Sequence, residues 1–489
     1  MKRFWILNTM AVVVLLTALL AFSSNDSNFV KAGEQPVKKD IAPSQSQPKK
    51  SKNNTDSIRD IKLTESQRKM SDNINDFACN LFRTIYKQEG SKKSIILSPI
   101  SVGYLLGMLN EGADGETRQQ ITNVLRLDCS FEEINNYFQK MMDVVALVDT
   151  AVTVNIANCI EINSAKGISL IPQYQADMQK YYDAQVDALD FSDGRNLKVI
   201  NNWCKSHTNG MIPTILTPDE FQPDAAMYLL DAIYFQAPWT KKFDPEETRK
   251  MVFTKQGGRT VKRNMMHLKR SAAYGKNDLC KMLCLSYGNY SYSMYVLLPH
   301  KGKTINDIIQ SLSARNLEEY RKREMISREV DILLPRFTTE NETNLKGALS
   351  SMGMPRIFGS GAEFPNMAQG HKDLYVSKIK QKARIEAEEE GTKAAAVTIA
   401  EVFTLCAKLN EEKPKIVEFH ATRPFVYYIV ENSTHSILFM GTYCGDYRPL
   451  SLRLFGTQPT DLKTFGFKSK NGLIARKSAF SYGLVDDFL

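Results

Sequence analysis

Residues 388–403 read EEEGTKAAAVTIAEVF: three acids, a glycine, a run of small residues and an apolar end. Side chains on a strand alternate between its two faces. Set out as a strand from Thr392, one face carries Thr392, Ala394, Ala396, Thr398, Ala400, Val402 and Thr404, uncharged and mostly small. The other carries Lys393, Ala395, Val397, Ile399, Glu401, Phe403 and Leu405, and so both charges of the window. Such a segment suits a sheet with one buried face. The acids Glu388, Glu389 and Glu390 and the pivot Gly391 read as a flexible lead-in. Ala, Glu and Lys also favour helix, so an Ala-rich helix flawed at Gly391 is the competing reading. A chain with this stretch needs a fold in which one segment can be exposed loop or buried strand.

The surrounding periodicity is mixed. Ile74, Phe77, Ala78, Leu81 and Ile85 recur at helical spacing and predict a helix over 66–88. SIILSPISVG, from Ser94, reads as a short strand followed by a helix with Pro99 in its first turn and Ser98 as its cap. Alternation with period two marks strands at 151–163 and 291–300, and a third over 329–340 that ends in a proline turn. Residues 343–354 suggest a short helix, and 424–443 two strands around a turn at 431–434. There is no internal repeat. The class is mixed α+β with many antiparallel pairs.

A length of 489 residues allows one large domain or two to three ordinary ones. Lys+Arg 63 against Asp+Glu 54 gives a net charge of +9, too mild for a nucleic-acid signature. Residues 1–23 combine Lys2 and Arg3, an apolar core from Met10 to Phe22 and small residues at Ala21 and Ser23. They are expected to be a secretory signal peptide. An uncleaved anchor is the alternative, although the run is short for a span of about 20 residues. Secretion gives meaning to the glycan sequons at Asn53, Asn289, Asn341 and Asn432. Residues 24–62, polar and nearly free of aromatics, are expected to be a disordered basic linker. Its Lys38, Lys39, Lys49, Lys50 and Lys52 would suit a polyanion or simply solvate a tail.

Eight cysteines are scattered over the chain, unlike a disulfide-stapled mini-domain. Cys280 and Cys284, four apart on a strand, stand roughly 13 Å from each other, too far to bridge. With no C-x-x-C pair and no histidine cluster, no metal site or cofactor is expected. The six histidines show no triad spacing, and there is no G-x-S-x-G elbow and no phosphate-binding loop. An enzyme is therefore not expected, nor a nucleic-acid or membrane partner.

Several separated motifs point the same way. EEGTKAAAVT, SPISVGYLLGMLNEGADGET, INNWCKSHTNGMI, LLDAIYFQAPWTKKF and FHATRPFVYYIVENSTHSILFMG occur in the chain. Each resembles a segment of the serpin family, and residues 63–449, about four-fifths of the chain, resemble a serpin domain. The resemblance implies a serpin fold of three β-sheets and about nine helices, with an exposed reactive-centre loop at about 388–418. It implies a suicide substrate: a serine or cysteine protease attacks the loop, and the cut loop inserts into the main sheet and traps the acyl-enzyme. The expected partner is thus a target serine protease held covalently by a monomer. The alternative is a non-inhibitory serpin acting as a carrier or chaperone.

The hinge maps onto Glu389, Gly391, Thr392, Ala394, Ala395 and Ala396. The bait bond falls fourteen positions after Gly391, at Leu405-Cys406. A loop longer than is common in the family keeps Lys408-Leu409 as a competitor. Cys406 beside the bond is redox-sensitive or incidental. Ser98, Ser101, Asp231, Gln381 and Trp239 map onto the region that gates sheet opening. Asp231 and Gln381 stand where most members have Asn and many have His, and Lys393 where Glu is usual. Residues 450–489 form an extension of unknown role outside the resemblance.

Overall fold

The computed structural model describes residues 60–90, 93–145, 148–370, 374–392 and 416–446. The chain divides into Met1–Thr55 and Asp56–Leu489, and every described residue belongs to the second unit. The expected signal peptide, nearly all of the basic linker with Asn53, residues 393–415 with both candidate bonds, and the C-terminal extension lie outside the described residues.

Nine α-helices occur among the described residues: α1 (Glu65–Glu89), α2 (Pro99–Gly112), α3 (Gly115–Leu125), α4 (Phe131–Val145), α5 (Pro172–Tyr182), α6 (Asn196–His207), α7 (Ile305–Ser311), α8 (Ala314–Glu319) and α9 (Lys346–Ser351). The strands are β1 (Ile96–Leu97), β2 (Thr153–Asn163), β3 (Ser169–Leu170), β4 (Gln185–Leu189), β5 (Met227–Pro238), β6 (Arg249–Thr254), β7 (Thr260–Lys276), β8 (Cys280–Tyr287) and β9 (Tyr292–Pro299). They continue with β10 (Ile326–Pro335), β11 (Phe337–Asn344), β12 (Ala368–Gln369), β13 (Val376–Glu388), β14 (Gly391–Thr392), β15 (Val417–His420), β16 (Phe425–Glu431) and β17 (Ile437–Tyr443). The class is α+β.

Helix α1 starts at a capping box, Thr64 with Gln67, and buries Ile74, Phe77, Ala78, Leu81 and Ile85 as their spacing predicts. Helix α2 is buried almost all round, which suits its nearly uncharged sequence. Ser98 holds its N-cap position, yet the Ser98 hydroxyl makes no cap bond. The proline turn expected at the end of 329–340 is a change of sheet. Pro335 ends β10, and Phe337 opens β11 in another sheet.

The described residues form three sheets. The nine-stranded one runs β1-β17-β16-β9-β8-β7-β10-β15, with β6 on β7. The six-stranded one runs β11-β13-β14-β5-β2-β4, and β12 pairs β3. The main core lies under both large sheets, where Phe235 meets Tyr292 and Phe439, and Phe337 meets Phe425 and Tyr443. A smaller core joins Trp203 and Cys204 of α6 to Ala157, Cys159, Tyr228 and Leu230 on the other face of the six-stranded sheet.

Candidate functional site

The six-stranded sheet is split. From Val376↔Met227 to Arg384↔Tyr234, β13 and β5 pair directly and in parallel. Beyond that, β14 enters between them, antiparallel to both: Thr392 lies between Ala387 and Ala237, and Gly391 between Glu388 and Pro238. From Gly391 to Thr392, β14 therefore runs toward the β13/β5 seam.

Gln381, Asp231, Ser98 and Ser101 meet midway along this seam. Gln381 Nε2 donates to Asp231 Oδ2 at 2.5 Å and to the Ser98 carbonyl at 2.8 Å, while its Oε1 accepts the Ser98 N–H at 2.8 Å. The Ser101 hydroxyl donates to Asp231 Oδ1. The amide thus ties β13 to β5 and to the start of α2. Burial pushes the Asp231 carboxyl up to about 7, against the lowering by Gln381 and Ser101. Asn158, the register partner of Asp231 on β2, is buried, and its side-chain amide makes no hydrogen bond with the protein.

The upper end of the seam holds the hinge. Trp239 Nε1 donates to the Glu388 carbonyl at 2.8 Å, and the N–H groups of Trp239 and Phe243 donate to the carbonyls of Glu390 and Glu389 at 3.0 Å. The Thr392 hydroxyl is buried against Tyr287 Oη at 2.8 Å, and Tyr287 stacks on Trp239 at 4.3 Å. Gly391 has φ 149°, and a Cβ there would collide with the Ala237 carbonyl and Pro238 Cα, so no side chain fits. The acids are held rather than loose. Glu389 Oε1 takes Arg336 at 2.6 Å and the Thr248 hydroxyl at 2.7 Å, and Lys242 meets Glu390. Burial raises the Glu389 carboxyl, but Arg336 and Thr248 outweigh it and keep it below the usual range. The flexible lead-in read from the acids is thus a clamped one.

Charged pairs line the outer face of β13. Lys378 and Lys380 on β13 reach Glu220, which follows α6, at 3.0 and 2.7 Å. Lys382 Nζ donates to the Thr214 carbonyl and to Glu342, both at 2.8 Å. For Glu220 the cost of burial is exceeded by bonds from Lys380, the Thr217 N–H and Lys378, so its carboxyl falls to about 2. Arg336, Thr248, Tyr287, Glu220 and the three lysines were not singled out from sequence. The alternation Lys378, Lys380, Lys382, continued by Arg384 and Glu386 on the same face, was the available signal.

After the undescribed residues, β15 is an edge strand paired in parallel with β10, its one partner among the described residues. Its His420 Nε2 lies 2.9 Å from Asp331, which also meets His267 at 2.8 Å. Bonding to Asp331, opposed by burial and helped by Glu247, raises the His267 pKa.

A family model described as Serpin (serine protease inhibitor) matches residues 72–445. The chain belongs to the serpin family. Leukocyte elastase inhibitor A of Mus musculus is 33% identical over 381 residues, spanning 75% of this chain and 97% of that relative. Native protease nexin-1 with heparin is a structural neighbour at TM-score 0.70 and 27% identity, covering 78% of this chain and 100% of its own. Human thyroxine-binding globulin follows at 0.69 and 26%, covering 77% and 98%. As a serpin, the chain is not an enzyme.

The serpin brings Ser98, Ser101, Asp231 and Gln381 together in one network, and Trp239, Glu389, Gly391 and Thr392 in another. Ala394, Ala395 and Ala396 fall in the undescribed segment. Three sequon asparagines are engaged. Asn289 Nδ2 donates to the Val148 carbonyl, Asn341 Nδ2 to the Thr343 hydroxyl, and Asn432 Nδ2 to the Tyr290 carbonyl. All seven described cysteines are free thiols, Cys280 and Cys284 included.

Proposed function

We propose that this serpin is a secreted suicide-substrate inhibitor of a serine or cysteine endopeptidase. The observation that supports this best is the placement of Gly391 and Thr392 between β13 and β5, as the first two residues of a strand the sheet otherwise lacks. Continuing that register downward sets Ala394 between Ile385 and Phe235, Ala396 between Ala383 and Ile233, and Thr398 between Gln381 and Asp231. A threonine hydroxyl can both accept from Gln381 and donate to Asp231, so it suits the network it would split. Each inserted residue replaces a parallel pairing by two antiparallel ones, which are more stable per residue.

The reaction begins when the protease nucleophile attacks the bait carbonyl, at Leu405-Cys406 or at Lys408-Leu409. Release of the new amino terminus frees the hinge side of the loop. About fourteen residues at ~3.3 Å each then carry the acylated protease some 45 Å. The run of small uncharged residues on one face allows entry without burying an unpaired charge. Secretion is supported by the signal-like residues 1–23. The likeness to leukocyte elastase inhibitor A favours a protease target for which Leu405 is the better bait.

The second reading, a carrier, has the likeness to thyroxine-binding globulin behind it. A carrier needs a ligand-sized cavity: that lined by Arg68, Asn75, Leu317, Arg321 and His435 has only about 50 Å³, whereas the cleft lined by Lys250, Lys262 and Arg336 has about 470 Å³. One experiment separates the readings. The full chain is incubated with chymotrypsin-, elastase- and trypsin-like and cysteine proteases, followed by denaturing gels and mass analysis of the released peptide. A gel-stable complex with a peptide starting at Cys406 or Leu409 is expected. Cleavage without complex for every protease, and without a rise in heat stability, would leave the carrier.

A further inference from the structure

A cleft of about 470 Å³ opens beside the hinge, between the β6/β7 hairpin and the corner where β10 passes into β11. This is the size range of small-molecule sites. Four bases line it, Lys250, Lys262, Arg263 and Arg336, against two acids, Glu388 and Asp446. Asp446 is already engaged by Lys255 at 3.4 Å and by the Ser94 N–H at 2.8 Å.

The register fixes where the cations stand. Lys250 pairs with Asn264 and Val252 with Lys262, so Lys250 and Lys262 share one face as diagonal neighbours. Such positions lie about 7–8 Å apart, and like charges there repel. Both lysines are exposed, and among the described residues neither enters an ion pair. Arg336 comes from the opposite wall, its N–H bonded to the Asn264 carbonyl at 2.8 Å. Phe337 and Tyr443, with ring centroids 5.0 Å apart, line the cleft, and Thr338 adds a hydroxyl.

We propose that this cleft binds a compact polyanion, a ligand with several sulfate or phosphate groups, held by Lys250, Lys262 and Arg336. The site is coupled to the hinge through Arg336, whose side chain is 41% exposed while that of its partner Glu389 is 5% exposed. An anion in the cleft reaches the guanidinium, cannot reach the carboxylate behind it, and competes with Glu389 for the same cation. Occupancy therefore loosens the ion pair that clamps residue 389, two positions ahead of Gly391. By linkage, weakening the Glu389 side of the pair strengthens the ligand side.

The test is titration calorimetry of the full chain at low salt, with sucrose octasulfate in one arm and inositol hexakisphosphate in the other. No protease is needed, so the outcome is independent of the inhibitory reading. Binding of at least one probe is expected, and the preferred probe identifies the oxyanion. Lys250→Ala with Lys262→Ala weakens it about tenfold, and Glu389→Gln tightens it about threefold. Changing the exposed Lys166 and Lys198 leaves it unaltered. Binding of neither probe, wild-type affinity in the double variant, or a loss that follows Lys38, Lys39, Lys49, Lys50 and Lys52 instead would overturn the site. An unchanged affinity in Glu389→Gln would overturn its coupling to the hinge.

Discussion

The two large sheets are held together by different chemistry. Where β16 joins β17 and β9, the strands are antiparallel and buried on both faces, filled by Val426, Tyr427, Ile429, Leu438 and Phe439. Where β13 joins β5, the pairing is parallel, crossed by Gln381–Asp231, and β13 is tied by Lys378 and Lys380 to Glu220 in the segment ahead of β5. Apolar packing is lost outright when such strands part. Hydrogen bonds and ion pairs can be exchanged for new ones on an incoming strand or with water. Under the proposed mechanism the first sheet stays closed and the second opens once.

The sharpest way to break this contrast is Thr392→Arg. Thr392 is wholly buried in the seam, and a guanidinium there would be unpaired at a cost of several kcal/mol. Insertion then loses the race with deacylation. Cleavage without a gel-stable complex, and a cleaved chain no more heat-stable than the intact one, are the expected readings. A wild-type yield of complex would sink the hinge assignment.

Phe439→Ala probes the closed sheet. Emptying this ring position should lower unfolding free energy by about 3–5 kcal/mol in denaturant titrations. The folded fraction should keep its inhibition stoichiometry. A changed stoichiometry would mean that the two sheets are not mechanically separate.

Asp231→Asn tests the seam by charge alone. Burial raises the folded carboxyl to about 7 from an ordinary 3.8, so the folded state binds more protons between these values. Stability contributed by this group is full below about pH 4 and is lost as pH rises through 7. An asparagine can accept from Gln381 and donate to Ser101, which keeps the network. The variant should gain a few kcal/mol over the parent at pH 8 and nothing at pH 4. A gain independent of pH would assign the effect to packing.

The smallest effect is expected from Lys393→Glu. The inserted register sets residue 393 beside Glu386, and Glu401 beside Lys378, so each charge of the loop's outer face meets its opposite. Reversing one should cost up to about 1 kcal/mol and raise the inhibition stoichiometry a few-fold. No change would mean that the outer face stays hydrated during insertion.

Much of this was legible in the sequence because periodicity reports burial. Ile74 to Ile85 gave their helix face; of the strand expected from Thr392, Thr392 itself is seated in β14, and the rest lies outside the described residues. The clamp was not legible. Nothing in the order of residues tells that Glu389 meets Arg336, 53 positions earlier, or that Glu220 meets Lys380, 160 positions later. These are long-range pairings set by topology. Ser98 misled for a related reason: its position suits a cap, but Gln381 takes its backbone groups and the hydroxyl goes unused.

The collision that any side chain at 391 would make with Ala237 and Pro238 has a mechanical consequence. A zipper needs a slider that passes its first tooth, and here that tooth is the backbone of β5 at Ala237 and Pro238. Because Gly391 and Thr392 are already seated, closure has a fixed starting end and a single direction. In the proposed insertion each further residue would be gripped on both sides before the next arrives, so a stalled stroke would have no easy way to slip back. Under the proposed mechanism the stroke is spent once, and capacity is counted in copies rather than in turnovers.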